Sequence, residues 1–165
     1  MASGGNKMTV YHGSSIEVKN PYVIHSRNNV DFGKGFYITP IKSQAEKWAE
    51  RYKLKSGKGI VSLYNINLDK IKAECKVLEF EGYTEQWLDF IVKCRNGENS
   101  PYDVIIGGGV ANDKVFNTIE LFFDNLIDKS EAIKRLKYEK PNLQICITRQ
   151  EVLDNYLTFV KSEEV

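Results

Sequence analysis

Asp31-Phe32-Gly33-Lys34-Gly35-Phe36-Tyr37-Ile38-Thr39 decides how this chain is read. Two glycines separated by one residue let a backbone bend and approach a ligand closely. They run into a short β-prone segment, residues 35–39, closed by Pro40. The same stretch also reads as a glycine-bearing β-bulge entering a core strand, its aromatics then belonging to the core. Asp31-Phe32-Gly33 spells a kinase triplet, but the Gly-rich loop, the strand Lys and the catalytic-loop motif of kinases are missing, which excludes that class.

Further strand signals lie on both sides. Met8-Thr9-Val10-Tyr11-His12 is short and β-prone and stops at Gly13-Ser14-Ser15. Residues 60–68 are rich in Ile, Val, Leu and Tyr, and 76–80 and 103–106 are shorter candidates. Near the C-terminus, 143–148 and 156–160 are expected to pair around the turn-like Asp154-Asn155. Helix signals fall between them. Ala45, Trp48, Ala49 and Tyr52 stand at i, i+3, i+4 and i+7, as do Trp87, Phe90, Ile91 and Cys94, and again Ile119, Phe122, Phe123 and Leu126. Asp128 with Glu131 three residues on resembles a capping box before Ala132, Ile133 and Leu136. Strands outnumber helices and do not alternate strictly with them, so the expected class is α+β, mostly antiparallel.

The chain has 165 residues, the size of one ordinary domain. A chain of this length buries roughly 70% of its unfolded surface and needs no disulfide or metal staple. Residues 1–7 are small and polar and read as a disordered start or tag remnant, leaving residues 8–165 as a single domain. Lys and Arg number 23 against 22 Asp and Glu, a net charge of +1, which argues against a duplex-DNA binder held mainly by charge. No apolar run approaches the ~20 residues of a membrane span. Three cysteines, Cys75, Cys94 and Cys146, form no CxxC pair, which suits a reducing cytoplasm. His12 and His25 lie far from them at any usual ligand spacing, so no metal site is expected.

Three segments carry chemistry-bearing residues. In Tyr11-His12-Gly13-Ser14, a His at a strand end followed by Gly puts an imidazole and an unhindered backbone beside a ligand, or is simply a His beside a turn. Tyr37 offers a flat aromatic face for stacking. In Leu143-Gln144-Ile145-Cys146-Ile147-Thr148, period two sets Leu143, Ile145 and Ile147 on one face and Gln144, Cys146 and Thr148 on the other. If the apolar face packs inward, Gln144 looks into a cleft or into solvent. Gly107-Gly108-Gly109 has neither GxGxxG spacing nor a GK[ST] ending and is expected to be a flexible turn.

Taken together with Gln44-Ala45, Trp48-Ala49, Tyr102-Asp103-Val104-Ile105-Ile106-Gly107 and Ala111-Asn112-Asp113-Lys114-Val115-Phe116, these segments resemble a bacterial domain family grouped with the ADP-ribosyltransferases. The resemblance runs from about Thr9 to Glu164. It implies two packed, mostly antiparallel sheets with flanking helices and a cleft for NAD, in the His–Tyr–Glu pattern. His12 then falls where a His contacts the adenosine-side ribose. Gly13 falls where a backbone clamps the nicotinamide carboxamide, with Ser14 beside it. Tyr37 falls where an aromatic ring stacks on nicotinamide, with Gly35 and Phe36 leading into it. Arg27, before Asp31, reads either as a bidentate donor to the pyrophosphate or as an exposed loop residue. Gln144 falls where the third-motif Glu holds the nicotinamide ribose.

That Gln departs from the pattern. Breaking the nicotinamide–ribose bond develops positive charge on the ribose, which a carboxylate stabilises and a neutral amide only helps to orient. Losing one preorganised electrostatic group costs about 3–4 kcal/mol of barrier. Asp31 and Asp113 are the carboxylates of this chain that stand to replace it. The resemblance implies a cytoplasmic, toxin-like mono-ADP-ribosyltransferase acting on a protein or nucleic acid and neutralised by a partner protein. A non-catalytic NAD or ADP-ribose binding module and an NAD glycohydrolase are the alternatives. Lys53, Lys55 and Lys58 form either a local basic strip for an acceptor or a solvated loop.

Overall fold

The computed structural model describes residues 7–23, 31–110 and 112–165. Residues 1–6 of the start read as disordered over 1–7, His25 and Arg27 lie outside them. Seven strands form two sheets among the described residues. The first holds β1 (Met8–Ser14), β3 (Ile60–Ile66) and β7 (Leu157–Glu164), in the order β1-β3-β7. The second holds β2 (Phe36–Ile38), β4 (Val77–Glu79), β5 (Val104–Gly107) and β6 (Gln144–Ile147), in the order β2-β6-β5-β4. Only β4 with β5 is parallel, so the α+β, mostly antiparallel class stands.

Alternation along the strands sorts the core into layers. Val10, Tyr64 and Ile66 of the first sheet meet Ile38, Ile145 and Ile147 of the second to fill the space between them. The outer face of the first sheet carries α1 (Lys42–Ser56), whose Ala45 and Ala49 pack against Val61 and Leu63. These are the i and i+4 members of the spacing seen in sequence, and two small residues let the helix lie close to the strand. The outer face of the second sheet is covered by α3 (Glu85–Arg95), α4 (Asp113–Phe123) and α5 (Lys129–Leu136). Trp87, Leu88, Ile91, Val115, Ile119 and Leu136 close over Ile105 and Cys146 there. The N-cap half of the capping reading at α5 is present, for Asp128 accepts from the Glu131 N–H at 2.8 Å, while Glu131 Oε2 accepts from Arg135 Nε at 2.7 Å.

Four expectations need correction. Asp154-Asn155 lies within a helix, α6 (Gln150–Tyr156), instead of turning a hairpin, and the expected far arm, in β7, joins β3 in the other sheet instead of pairing with β6. The 60–68 strand stops at Ile66, because Asn67 caps α2 (Leu68–Glu74) by accepting from the Lys70 N–H at 3.0 Å. The stripe ending in Leu126 is cut at Phe123. Asn125 turns left-handed (φ 62°), and Leu126 is 70% exposed. Both faces of β6 are buried, so Gln144 is only 4% exposed. No helix among the described residues is long and apolar enough to cross a membrane.

Candidate functional site at a parted strand seam

β1 and β2 are edge strands of different sheets, and they touch at one bridge. The Tyr11 N–H donates to the Thr39 carbonyl at 2.8 Å, and the Thr39 N–H donates to the Tyr11 carbonyl at 2.9 Å. In an antiparallel ladder, residues two apart present N–H and C=O to the same edge, so the next exchanging pair would be Gly13 and Tyr37. The ladder does not reach them. No backbone hydrogen bond joins Gly13 to Tyr37 among the described residues. The Gly13 N–H and C=O, turned away from β3 by the same alternation, point toward β2, and Gly13 itself is buried.

A side chain takes the place of the missing rung. His12 Nδ1 lies 2.7 Å from the Tyr37 carbonyl oxygen, and the ring rests on Phe36 with centroids 4.4 Å apart. A carbonyl can only accept, so Nδ1 carries the proton. Burial holds the imidazole pKa below its ordinary value, against the opposing pull of the Tyr37 carbonyl. The neutral ring then keeps a lone pair on Nε2, an acceptor for a hydroxyl.

Gly13 has a packing reason as well. A Cβ there would stand 2.2 Å from the Ala45 carbonyl oxygen and 2.9 Å from the Ala49 nitrogen. The helix therefore rests directly on this strand residue. It also brings the half-buried Trp48 to Gly13, its Cβ 3.0 Å from that added atom. In sequence Trp48 is visible only as part of an apolar stripe.

The other face of the second sheet gathers a second group. Tyr37 pairs with Cys146, and Gln144 lies two residues along on the same face. The Tyr37 hydroxyl donates to the Gly33 carbonyl at 2.5 Å and accepts from the Phe32 N–H at 3.0 Å. Burial pushes its pKa well up, so the phenol stays neutral and ties the turn at Asp31 to the strand. Gln144 Nε2 donates to Asp31 Oδ2 at 2.8 Å, and the Val110 N–H reaches the same oxygen at 3.2 Å.

The glycine run 107–109 is a clamped segment, which corrects the expected flexible turn. Trp87 Nε1 donates to the Gly108 carbonyl at 2.7 Å, and the Tyr83 hydroxyl donates to the Gly109 carbonyl at 2.8 Å. The Gly109 N–H donates to Asn142 Oδ1 at 2.7 Å.

Asp31, Gly33, Tyr37 and Gln144 thus come together from two remote parts of the chain. His12 and Gly13 adjoin them at the seam, joined through the Tyr37 carbonyl. The His12 and Tyr37 rings lie on opposite faces of β2, one toward the space between the sheets and one toward α3. Gly35 crosses β6 closely, since a Cβ there would meet Cys146 Sγ at 2.4 Å, and Phe36 belongs to the core. Ser14 is occupied locally, donating to the Ile16 carbonyl at 2.6 Å. Asp113 is exposed in the first turn of α4, outside the cluster's hydrogen bonds. Burial raises the thiols of Cys94 to about 11 and Cys146 to about 12, so neither is a thiolate nucleophile at neutral pH.

A separate open cleft of about 470 Å³ lies where β6 runs out, lined by Phe32, Gly33, Lys34, Thr148, Arg149 and Gln150 among others. It includes none of His12, Tyr37 and Gln144. No group of three or more His, Cys, Asp or Glu placed to hold a metal ion occurs among the described residues.

The fold and site define an α+β domain of two mostly antiparallel sheets parted at one strand seam. The chain belongs to the family described as "Protein of unknown function (DUF3990)", whose model matches residues 8–159. No curated protein and no solved structure matches it.

Proposed function

We propose that this protein is an NAD-dependent mono-ADP-ribosyltransferase of ADP-ribosyltransferase-like fold, with a toxin-like action on a protein or nucleic acid. The observation that carries the reading is the parted seam. It leaves the Gly13 N–H and C=O without a ladder partner on β2, with an acceptor nitrogen of His12 on one side and the Asp31–Gln144 cluster beyond Tyr37. A primary carboxamide needs one donor and one acceptor side by side, and a strand residue without its ladder partner offers both. A ribose hydroxyl needs an acceptor, and neutral His12 offers Nε2. These groups suit the two ends of NAD.

Bound NAD supplies an ADP-ribose whose C1″–nicotinamide bond breaks with the electron pair on nicotinamide, while the acceptor bonds to C1″ and releases its proton. Around it, Gly13 holds the carboxamide, His12 orients the adenosine-side ribose, and Gln144 orients the nicotinamide-side ribose. Fixing these contacts in advance accounts for most of the rate gain. The acceptor's class is open between protein and nucleic acid, and a partner protein that covers the seam would neutralise the activity.

Calorimetry with NAD, followed by an assay for released nicotinamide with and without cell extract as a source of acceptor, tests the reading. Saturable binding with transfer supports it. Free ADP-ribose formed without an acceptor indicates an NAD glycohydrolase. Binding without nicotinamide release indicates a non-catalytic module, a reading favoured by the neutral amide of Gln144. Absence of binding overturns the proposal.

A further inference from the structure

We infer that Asp31 and Gln144 form a transposed pair, in which Asp31 supplies the negative charge of the site and fixes which end of the Gln144 amide is left free to accept. The inference rests on the NAD reading above and names the residue that makes an amide serviceable in the third position.

The geometry is specific. An amide has a donating end and an accepting end, and 113 residues along the chain Asp31 has settled which is which, taking the Nε2 donor on Oδ2 at 2.8 Å. A carboxylate cannot donate, so the reverse orientation would set two oxygens against each other. The same Oδ2 is fixed by the Val110 N–H, which anchors the acid to the clamped glycine segment. Neither Gln144 Oε1 nor Asp31 Oδ1 has a hydrogen-bond partner among the described residues, and no ion pair to Asp31 occurs among them. Two acceptor oxygens of one cluster are thus without a partner among the described residues. Gly109 is shaped around the contact, for a Cβ there would stand 2.1 Å from Gln144 Nε2 and 2.5 Å from Asp31 Oδ2.

Restoring the family carboxylate by Gln144→Glu therefore does not restore the site. It places two carboxylates within hydrogen-bond distance, where like charges resist joint ionisation. The titratable groups facing the pair are Tyr37, Tyr83 and Cys146. All three have their pKa raised by burial, so they stay neutral and leave the pair to govern its own pH response.

The test is a double-substitution cycle read in two ways, by the urea midpoint and by nicotinamide release from NAD with water as acceptor. In that assay water oxygen bonds to C1″, its proton goes to solvent, and nicotinamide leaves with the electron pair. Asp31→Asn lowers the rate roughly 10²–10³-fold, the cost of one preorganised electrostatic group. Gln144→Glu lowers the rate and the urea midpoint at pH 8, and both recover as the pH falls and the pair shares a proton. In the double variant Asp31→Asn/Gln144→Glu the two groups exchange places. The amide introduced at position 31 donates to the carboxylate introduced at position 144, while the Val110 N–H loses the acceptor it had on Oδ2, so the rate returns to within tenfold of wild type and the midpoint recovers only part of the loss seen in Gln144→Glu. An additive double variant, or a wild-type rate in Asp31→Asn, overturns the inference while leaving NAD binding intact. A wild type that neither binds nor cleaves NAD, with the midpoint cycle still coupled, instead rejects the NAD reading and keeps the contact.

Discussion

The seam between β1 and β2 has two ends. At one, Tyr11 and Thr39 exchange both backbone hydrogen bonds, and Thr39 is fully buried. At the other, Gly13 and Tyr37 exchange none, and a histidine side chain occupies the carbonyl. The two ends lie two residues apart on each strand. The difference shows how a fold leaves a strand residue without its ladder partner and still exposes no free sheet. Pairing is kept where it joins the sheets and withheld where the chain offers a glycine, and a neighbouring side chain satisfies one of the released acceptors.

The largest effect that would break this comparison is expected at Gly13. Gly13→Ala drives a methyl group into the Ala45 carbonyl and forces α1 off the strand. Destabilisation of about 1–3 kcal/mol, the usual cost of overpacking, should appear in urea unfolding, together with loss of NAD binding. A stable variant with undiminished binding would show that α1 does not set the open end.

His12→Ala should separate binding from folding. One lost hydrogen bond to a ribose corresponds to roughly tenfold weaker NAD binding, about 1.4 kcal/mol, measured by calorimetry on a variant with unchanged circular dichroism. Thr39→Val should do the reverse. The Thr39 hydroxyl donates to the Leu143 carbonyl at 2.7 Å and accepts from the Ile41 N–H at 3.1 Å. Gln44 Nε2 still serves Leu143 at 2.9 Å, so the loss is modest, about 0.5–1.5 kcal/mol of stability, with NAD affinity unchanged. An affinity change as large as that of His12→Ala would mean the two ends act as one unit.

The smallest expected effect is the titration of His12. Its folded-state pKa is lowered from the ordinary 6.5, so the unfolded chain takes up the proton first. The His12 contribution to stability is therefore full above pH about 6.5 and is lost as the pH falls toward the lowered folded-state value. NAD affinity should fall with protonation of Nε2, over the pH range below 6.5 that the lowered value sets. A flat profile in wild type, matching His12→Ala, would detach the imidazole from the ligand.

Much of the fold was legible because three of its helices, α1, α3 and α4, obey one spacing. Ala45 and Ala49 of α1 and Trp87 and Ile91 of α3 are the buried members of stripes visible in sequence. Gln144 and Cys146 were harder. Alternation assigned them correctly to one face, but burial of that face depends on α3 and α4 arriving from elsewhere, which no local pattern encodes. The helix at 150–156 was missed because Val152 and Leu153 are its buried pair, too few to display a period. At the site, Asp31 and Gln144 were each visible as chemistry-bearing residues. Their contact was not, since tertiary proximity across 113 residues leaves no trace in spacing.

Three successive glycines have more freedom to lose than other tripeptides, and that lost entropy opposes folding. In segment 107–109 the loss is already met in the free protein by an indole, a phenol and an amide, each gripping the main chain. Under the proposed NAD reading, a ligand beside Gln144 would meet a wall already standing, and its affinity would carry no ordering cost on that side.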